Sequence, residues 1–153
     1  MIVDNQGRGF YMAGNATELS MDDVVSRGDG GYGISLWAPD WSGEDYKTDA
    51  TVGTIYAIDN GHKSEKPGVA LVGPMDLRDA ERIETCRNAG AGLRGVEAYG
   101  GPPTGSITEL VTRDNGRGNT RGNLQEVTIQ NAAEQRCDPP DVLPKLSESA
   151  IDC

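Results

Sequence analysis

The sequence predicts a β-rich α+β fold, in which antiparallel hairpins are joined by long Gly-rich loops and one clear helix covers residues 76–89. Three observations lead to this fold class. Turn signals of the Asp-Asn type recur along the chain, and each follows a β-prone stretch. The 153 residues include 21 Gly and 8 Pro, a composition typical of chains with many turns. One central stretch carries apolar residues at helical spacing.

The Asp-Asn turns begin at Asp4, Asp59 and Asp114, so the interval between successive turns is constant. The β-prone stretches before them are Ile2-Val3, TVGTIYAI (51–58) and SITELVTR (106–113). Asp, Asn and Gly tolerate a positive φ, which favours tight hairpin turns. The constant interval also predicts a weak 55-residue internal repeat and, with it, a pseudo-symmetric or stacked β architecture. Chance recurrence in a chain rich in these residues is the alternative.

The helix predicted at 76–89 can be capped by Asp76 and ended by Gly90. Its apolar stripe consists of four residues, Leu77, Ala80, Ile83 and Cys86. Two ion pairs at i,i+3 spacing would support it, Asp79–Arg82 and Glu84–Arg87. A shorter helix is expected from Ser20 to Ser26, because Ser20 is a favourable N-cap.

The C-terminal half predicts a hairpin, with strands at 107–113 and 124–130 joined by a loop at 114–123. Alternation places Val127 and Ile129 on one face of the second strand. The chain is therefore divided into a single β-rich domain, 1–136, and a C-terminal Pro-rich segment, 137–153.

Three cysteines allow one disulfide and leave one residue over. Cys137 and Cys153 bracket the C-terminal segment, and a bridge between them would stabilise a terminus with little core of its own. Two free thiols in a reducing compartment are the alternative. Cys86 would then be a small buried apolar residue or, as a sharper interpretation, a reactive thiol. The compartment is unknown, but an oxidised bridge would favour an extracytoplasmic protein or a virion.

The composition predicts a chain that is ordered by its neighbours. Leu, Ile, Val and Phe together supply less than a fifth of the chain, and the formal net charge is -10. A lean core with a high net charge is typical of chains that fold poorly alone. The acidic balance disfavours nucleic acid as a partner, because phosphates would be repelled. No apolar run is long enough for a membrane span.

An aromatic and acidic segment is the first candidate contact site. Its proposed contact residues are Trp37, Asp40, Trp41, Asp45 and Tyr46. Trp and Tyr act as anchors in protein interfaces, and aromatic rings beside carboxylates also suit sugar rings. A loop whose tryptophans plug a small core is the alternative.

An arginine series is the second candidate. Arg113, Arg117 and Arg121 recur every four residues on an otherwise acidic chain, which suits contact with a partner's carboxylates. A solvated hairpin is the alternative. The glycines around this series match neither a P-loop nor an EF-hand.

Little in the sequence supports an enzyme. His62 is the only histidine, and no nucleophile elbow, zinc motif or CxxC pair is present. We therefore expect no catalytic residues, no metal and no cofactor. The predicted function is a non-catalytic structural or assembly subunit of a filament, shell or similar complex, in a homo- or hetero-oligomer of protein subunits. The alternatives are a carbohydrate-binding module that uses Trp37, Trp41 and Tyr46, or a two-carboxylate glycan hydrolase.

Overall fold

The computed structural model describes residues 1–13, 18–38, 48–98 and 100–134, and every regular element in these ranges is a β-strand. Six strands form one sheet: β1 (Ile2–Val3), β3 (Glu18–Arg27), β5 (Thr48–Ile58), β7 (Met75–Cys86), β9 (Thr104–Arg113) and β11 (Val127–Glu134). Five shorter strands form the other: β2 (Phe10–Ala13), β4 (Ile34–Trp37), β6 (Val69–Val72), β8 (Leu93–Val96) and β10 (Thr120–Gly122). We call them the long-strand sheet and the short-strand sheet.

The chain alternates between the two sheets, so that each of the first five long strands is followed by a short one. The orders are β1-β3-β5-β7-β9-β11 and β10-β8-β6-β4-β2, and every pair of neighbouring strands is parallel. Parallel neighbours require a crossover between them. Here each crossover passes through the opposite sheet, and the result is a stack of coils that resembles a β-solenoid.

The core lies between the sheets and is built from stacked rows of small and apolar side chains. In β5 the inward residues are Ala50, Val52, Ile55 and Ala57, all between 0% and 2% exposed. The inward positions in β7 are Leu77, Ala80, Ile83 and Thr85. The short strands face them with five fully buried residues: Ile34, Leu36, Val69, Leu71 and Leu93.

The prediction of a helix at 76–89 is wrong, because these residues form β7 and the turn after it. The first three-residue step that suggested a helix, Leu77 to Ala80, lies at a β-bulge, and the second, Ala80 to Ile83, is in register with the step from Val52 to Ile55 in β5. Leu77 lies opposite Gly105 and Ala80 opposite Ile107, so that β7 uses one more residue than β9 over this stretch. The prediction of a shorter helix at 20–26 is also wrong. These residues lie in β3, where Met21 and Val24 lie opposite buried residues of β5.

The prediction of antiparallel hairpins is also wrong, which overturns the α+β fold class. β9 and β11 are neighbours, but they run parallel, with Ile107 opposite Ile129. The loop predicted between these strands contains β10, which belongs to the other sheet. Among the described residues, antiparallel pairing is limited to one isolated bridge between Ala98 and Gly101.

A left-handed residue follows each of the first five long strands. These residues are Asp4, Gly28, Asp59, Arg87 and Asp114, with φ between 48° and 73°. The Asp-Asn turns begin at every second one of these positions, so the constant interval found in the sequence corresponds to two coils. Turns are present at the predicted positions. Each one carries the chain from the long-strand sheet to the short-strand sheet and does not close a hairpin.

The residue after each left-handed position forms a polar ladder, made of Asn5, Asp29, Asn60, Asn88 and Asn115, of which the three middle members are buried. The backbone N–H of each of the first four donates to the side-chain oxygen one coil further on, at 2.8 to 3.1 Å. The side-chain amides donate back to the preceding long strands, as Asn88 Nδ2 does to Ala57 O at 2.8 Å. This ladder satisfies polar groups that would otherwise be buried without partners.

Glycines make room for the ladder at the start of the short strands. A Cβ on Gly33 would lie 2.5 Å from Asn60 Nδ2, and a Cβ on Gly68 would lie 2.4 Å from Asn88 Nδ2. The glycine content therefore reflects close packing at the ladder and not only flexible loops.

Cys86 ends β7, is 3% exposed and is disulfide-bonded. The expected burial is present, but neither the helical context nor a free reactive thiol is. The predicted Cys137–Cys153 bridge and the whole segment 137–153 lie outside the described residues. Among the residues that the structure does describe, none forms a helix of the length and apolarity that a bilayer crossing requires.

Candidate binding face on the short-strand sheet

The outward side chains of the short strands form rows that run along the stack of coils. The first row crosses all five strands in register: Tyr11, Ser35, Ala70, Arg94 and Arg121. Its middle members, Ser35 and Ala70, are buried, and the other three are exposed. The second row is Ala13, Trp37, Val72 and Val96. Because neighbouring strands are about 4.8 Å apart, each row places one side chain per coil along a straight line.

A cavity of about 300 Å³ opens between these rows. Trp37, Tyr32, Val72 and Val96 supply most of its apolar lining, and Arg8 and Arg94 supply its charges. Aromatic rings with a few polar groups are typical of sites that bind a ligand or a partner's side chain.

Cations lie over the aromatic rings at one end of this cavity. The Arg8 guanidinium is 4.2 Å from the Tyr11 ring centroid and 5.5 Å from that of Tyr32. Lys66 Nζ lies 5.3 Å from the Tyr32 centroid, and Tyr11 meets Trp37 edge to face at 5.9 Å. These cation–π contacts hold the positive charges beside the rings without neutralising them.

Two further cavities adjoin the first and extend its charge. One, of about 200 Å³, shares Arg94 and adds Arg117 and Arg121; the other, of about 310 Å³, shares Arg8 and Tyr32. Together the three are lined by six cations and by one carboxylate, that of Glu65. The cations are Arg8, Lys63, Lys66, Arg94, Arg117 and Arg121. We call this surface, with Tyr11, Tyr32 and Trp37, the basic aromatic face.

The opposite side of the molecule has the opposite charge. Strands β3, β5, β7 and β9 carry nine carboxylates and four arginines, none of them at an inward position. The carboxylates are Glu18, Asp22, Asp23, Asp49, Asp76, Asp79, Glu81, Glu84 and Glu109. We call this surface the acidic face.

Three of the four arginines of the acidic face pair with its own carboxylates. Arg82 Nη2 lies 2.9 Å from Glu84 Oε2, Arg82 also pairs with Glu109, and Arg113 Nη2 lies 3.2 Å from Glu84 Oε1. Burial lowers the pKa of Arg82, but Glu84 and Glu109 outweigh this effect and raise the pKa above its ordinary value. Arg82 therefore stays charged and offsets part of the acidic surplus.

The structure brings together some of the sequence-predicted contact residues and separates others. Trp37 and Arg121 both lie on the short-strand sheet, and Arg117 lies beside Arg121, where it pairs with Glu65. Arg113 is in β9, bonded to Glu84, and so belongs to the acidic face. The other predicted residues, Asp40, Trp41, Asp45 and Tyr46, lie outside the described residues.

Sequence reasoning missed Tyr11, Tyr32, Arg8, Lys66 and Arg94. A signal for part of this set was present, because a Gly followed by alternating residues recurs once per coil, as GFYM (9–12), GISL (33–36), GVAL (68–71) and GLRG (92–95). The third letter of each motif gives the outward row, including the tyrosine and the arginine. This row becomes visible when the sequence is aligned with itself at the interval of one coil, whereas the 55-residue interval spans two coils.

His62 is exposed in the turn after β5, and within the described ranges no group of three or more His, Cys, Asp or Glu side chains could hold a metal ion. Comparison of the chain with protein-family models, with curated proteins and with solved structures finds no match. The function is therefore argued from the geometry of the two faces.

Proposed function

We propose that this chain is a non-catalytic subunit of a larger assembly, in which the basic aromatic face of one copy binds the acidic face of the next. The observation that supports this function is the separation of charge between two opposite faces of one coil stack. A chain with net charge -10 gathers six of its 14 Lys and Arg on the lining of three adjoining cavities. Complementary potentials of this kind select and orient a partner.

The arrangement of the faces favours an open assembly. Because the two faces lie on opposite sides, a copy bound through its basic aromatic face leaves its acidic face exposed for another copy. Such head-to-tail contacts close into a ring or continue as a filament. A ring and a filament are both consistent with this geometry, and a shell would need a second contact.

Charge alone would give a weak contact. Exposed ion pairs contribute about 0–1 kcal/mol each and are screened by salt. The aromatic residues Trp37, Tyr11 and Tyr32 add apolar area at the centre of the face, where anchor residues are most effective. We therefore expect association that is strong at low ionic strength and weak at high ionic strength.

Light scattering over a hundredfold dilution series, at low and at high salt, tests the proposal. The wild-type mass should rise with concentration at low salt, and Arg94→Glu should abolish this rise. Arg78→Glu makes the same change in net charge but adds negative charge to the acidic face, where Arg78 pairs with Asp49, so it should keep or strengthen the rise. A wild-type chain that stays monomeric throughout, or equal losses in both variants, would contradict the proposal.

A carbohydrate-binding module is the second candidate, favoured by the aromatic lining of the central cavity. On this hypothesis the monomer binds a glycan, and Tyr11→Ala weakens binding. Tyr11 suits this test because it is 43% exposed, so its removal should leave the core intact. Affinity electrophoresis against neutral and acidic polysaccharides distinguishes this function from self-assembly.

A further inference from the structure

Two arginines lie side by side on the basic aromatic face. Arg94 of β8 and Arg121 of β10 are direct partners in the parallel register, and both are exposed. Their strands are about 4.8 Å apart, so their side chains leave the sheet as immediate neighbours. Like charges placed directly opposite one another in a sheet destabilise it.

Nothing among the described residues neutralises this pair. Neither Arg94 nor Arg121 makes an ion pair there, and the carboxylate of the shared cavity, Glu65, pairs with Arg117. The cavity of about 200 Å³ therefore has three arginines on its wall and one carboxylate. Its charge is suited to a group with negative charge on two or more oxygens.

We infer that Arg94 and Arg121 form a clasp for an oxyanion, and that its ligand is a carboxylate. A guanidinium donates two parallel N–H bonds to such a group, and two adjacent guanidinium groups can bind it from two sides. A bound carboxylate attracts both guanidinium groups and so offsets the repulsion between Arg94 and Arg121.

The source of the carboxylate rests on the proposed function: it is supplied by the acidic face of a second copy. Asp79 and Glu81 are exposed there, on β7, without an ion pair within the described part of the chain. The clasp would then fix the register between copies, whereas the aromatic rings supply contact area.

Sulfate serves as the probe for the clasp itself. The full-length chain, dilute enough to be monomeric, is melted in sodium sulfate and in sodium chloride at equal ionic strength. We expect a saturable rise in melting temperature of roughly 2–4 °C in sulfate over chloride. Arg121→Gln should lose this rise, and Arg78→Gln should keep it, which separates site binding from the general stabilising effect of sulfate.

The melting temperature in chloride alone is a second readout, because here the substitution should not destabilise the chain. In chloride alone, Arg121→Gln should melt at the same temperature as the wild type or higher, because it removes the repulsion with Arg94. An equal sulfate increment in Arg121→Gln and in the wild type would overturn the clasp, and so would a large loss of stability of that variant in chloride.

The clasp and the assembly can fail separately. Sulfate binding by a chain that never self-associates would support the clasp and contradict the assembly. Self-association that is unaffected by Arg121→Gln would overturn the role of the clasp in it. Binding of a uronate polymer to the monomer, lost in Arg121→Gln, would assign the carboxylate to a glycan and overturn the second copy as its source.

Discussion

Asn60 and Asn88 show how single residues hold this molecule together. Each is 1% exposed, and each accepts a hydrogen bond from one neighbouring coil and donates hydrogen bonds to another. The sequence identified the Asp-Asn pairs as turns, because Asp and Asn adopt a positive φ. It could not show that the Asn side chain points inward, since that depends on a neighbouring coil that is distant along the chain.

Asn88→Ala tests the ladder. The substitution removes the acceptor of the Asn60 N–H, at 3.0 Å, and the donor to Ala57 O, at 2.8 Å. Leaving such buried groups without partners should lower the free energy of unfolding by about 1–3 kcal/mol. Urea denaturation measures the loss. Asn131→Ala is the control, because Asn131 is exposed, and its change should stay within about 0.5 kcal/mol.

Gly33→Ala tests the room that the ladder requires. The new Cβ would lie 2.5 Å from Asn60 Nδ2 and 2.6 Å from Gly68 O, and neither atom can move without breaking a hydrogen bond. We expect a loss of about 1–3 kcal/mol in the free energy of unfolding. Gly7→Ala has no heavy atom within 4 Å of its Cβ and should be neutral. Similar thermal melts of the two variants would show that the short strands tolerate side chains here.

At the scale of elements, β7 explains why the fold class was mispredicted. Its inward positions, Leu77, Ala80, Ile83 and Thr85, include two three-residue steps in a row, and these steps imitate a helix. The residues themselves also favour helix, since Arg, Glu and Ala are good helix formers. Tertiary pairing with β5 and β9 overrides that preference, because the strand finds partners in register on both of its edges.

The ion pairs of β7 distinguish strand from helix in solution. In the structure Arg82 pairs with Glu109 on the neighbouring strand β9, whereas a helix would pair it with Asp79. A double-mutant cycle with Arg82→Gln and Glu109→Gln should give a coupling energy of about 0.2–1 kcal/mol. The same cycle with Asp79→Asn should give none. Coupling between Arg82 and Asp79, with none between Arg82 and Glu109, would contradict the strand and support a helix at 76–89.

At the scale of the whole molecule, the core is built with few large apolar side chains. The inward rows accept small and polar side chains, as in the row Ser26, Ala57, Thr85 and Thr112. A coil stack therefore needs fewer large apolar residues than a globular domain of the same length. The low content of Leu, Ile, Val and Phe predicts that the chain is ordered by contacts with neighbouring subunits. The light-scattering dilution series tests that prediction independently of the fold.

The disulfide of Cys86 has a limited choice of partners. Within one chain the other cysteines are Cys137 and Cys153, so a bridge to Cys86 and the predicted Cys137–Cys153 bridge exclude each other. Non-reducing peptide mapping should recover Cys86 linked to a peptide that contains one of them. A Cys137–Cys153 peptide together with a free Cys86 thiol would contradict the structure at this position.

The left-handed residue after each long strand also sets how this molecule can change in size. Each coil meets only the coils before and after it, so residues can be gained or lost in whole turns without altering the cross-section. Duplicating 59–86 would insert one more Asp-Asn step and lengthen the rod by about 4.8 Å. An insertion of half that length would move every following ladder asparagine out of line with its neighbour, so growth by anything other than complete coils is disfavoured.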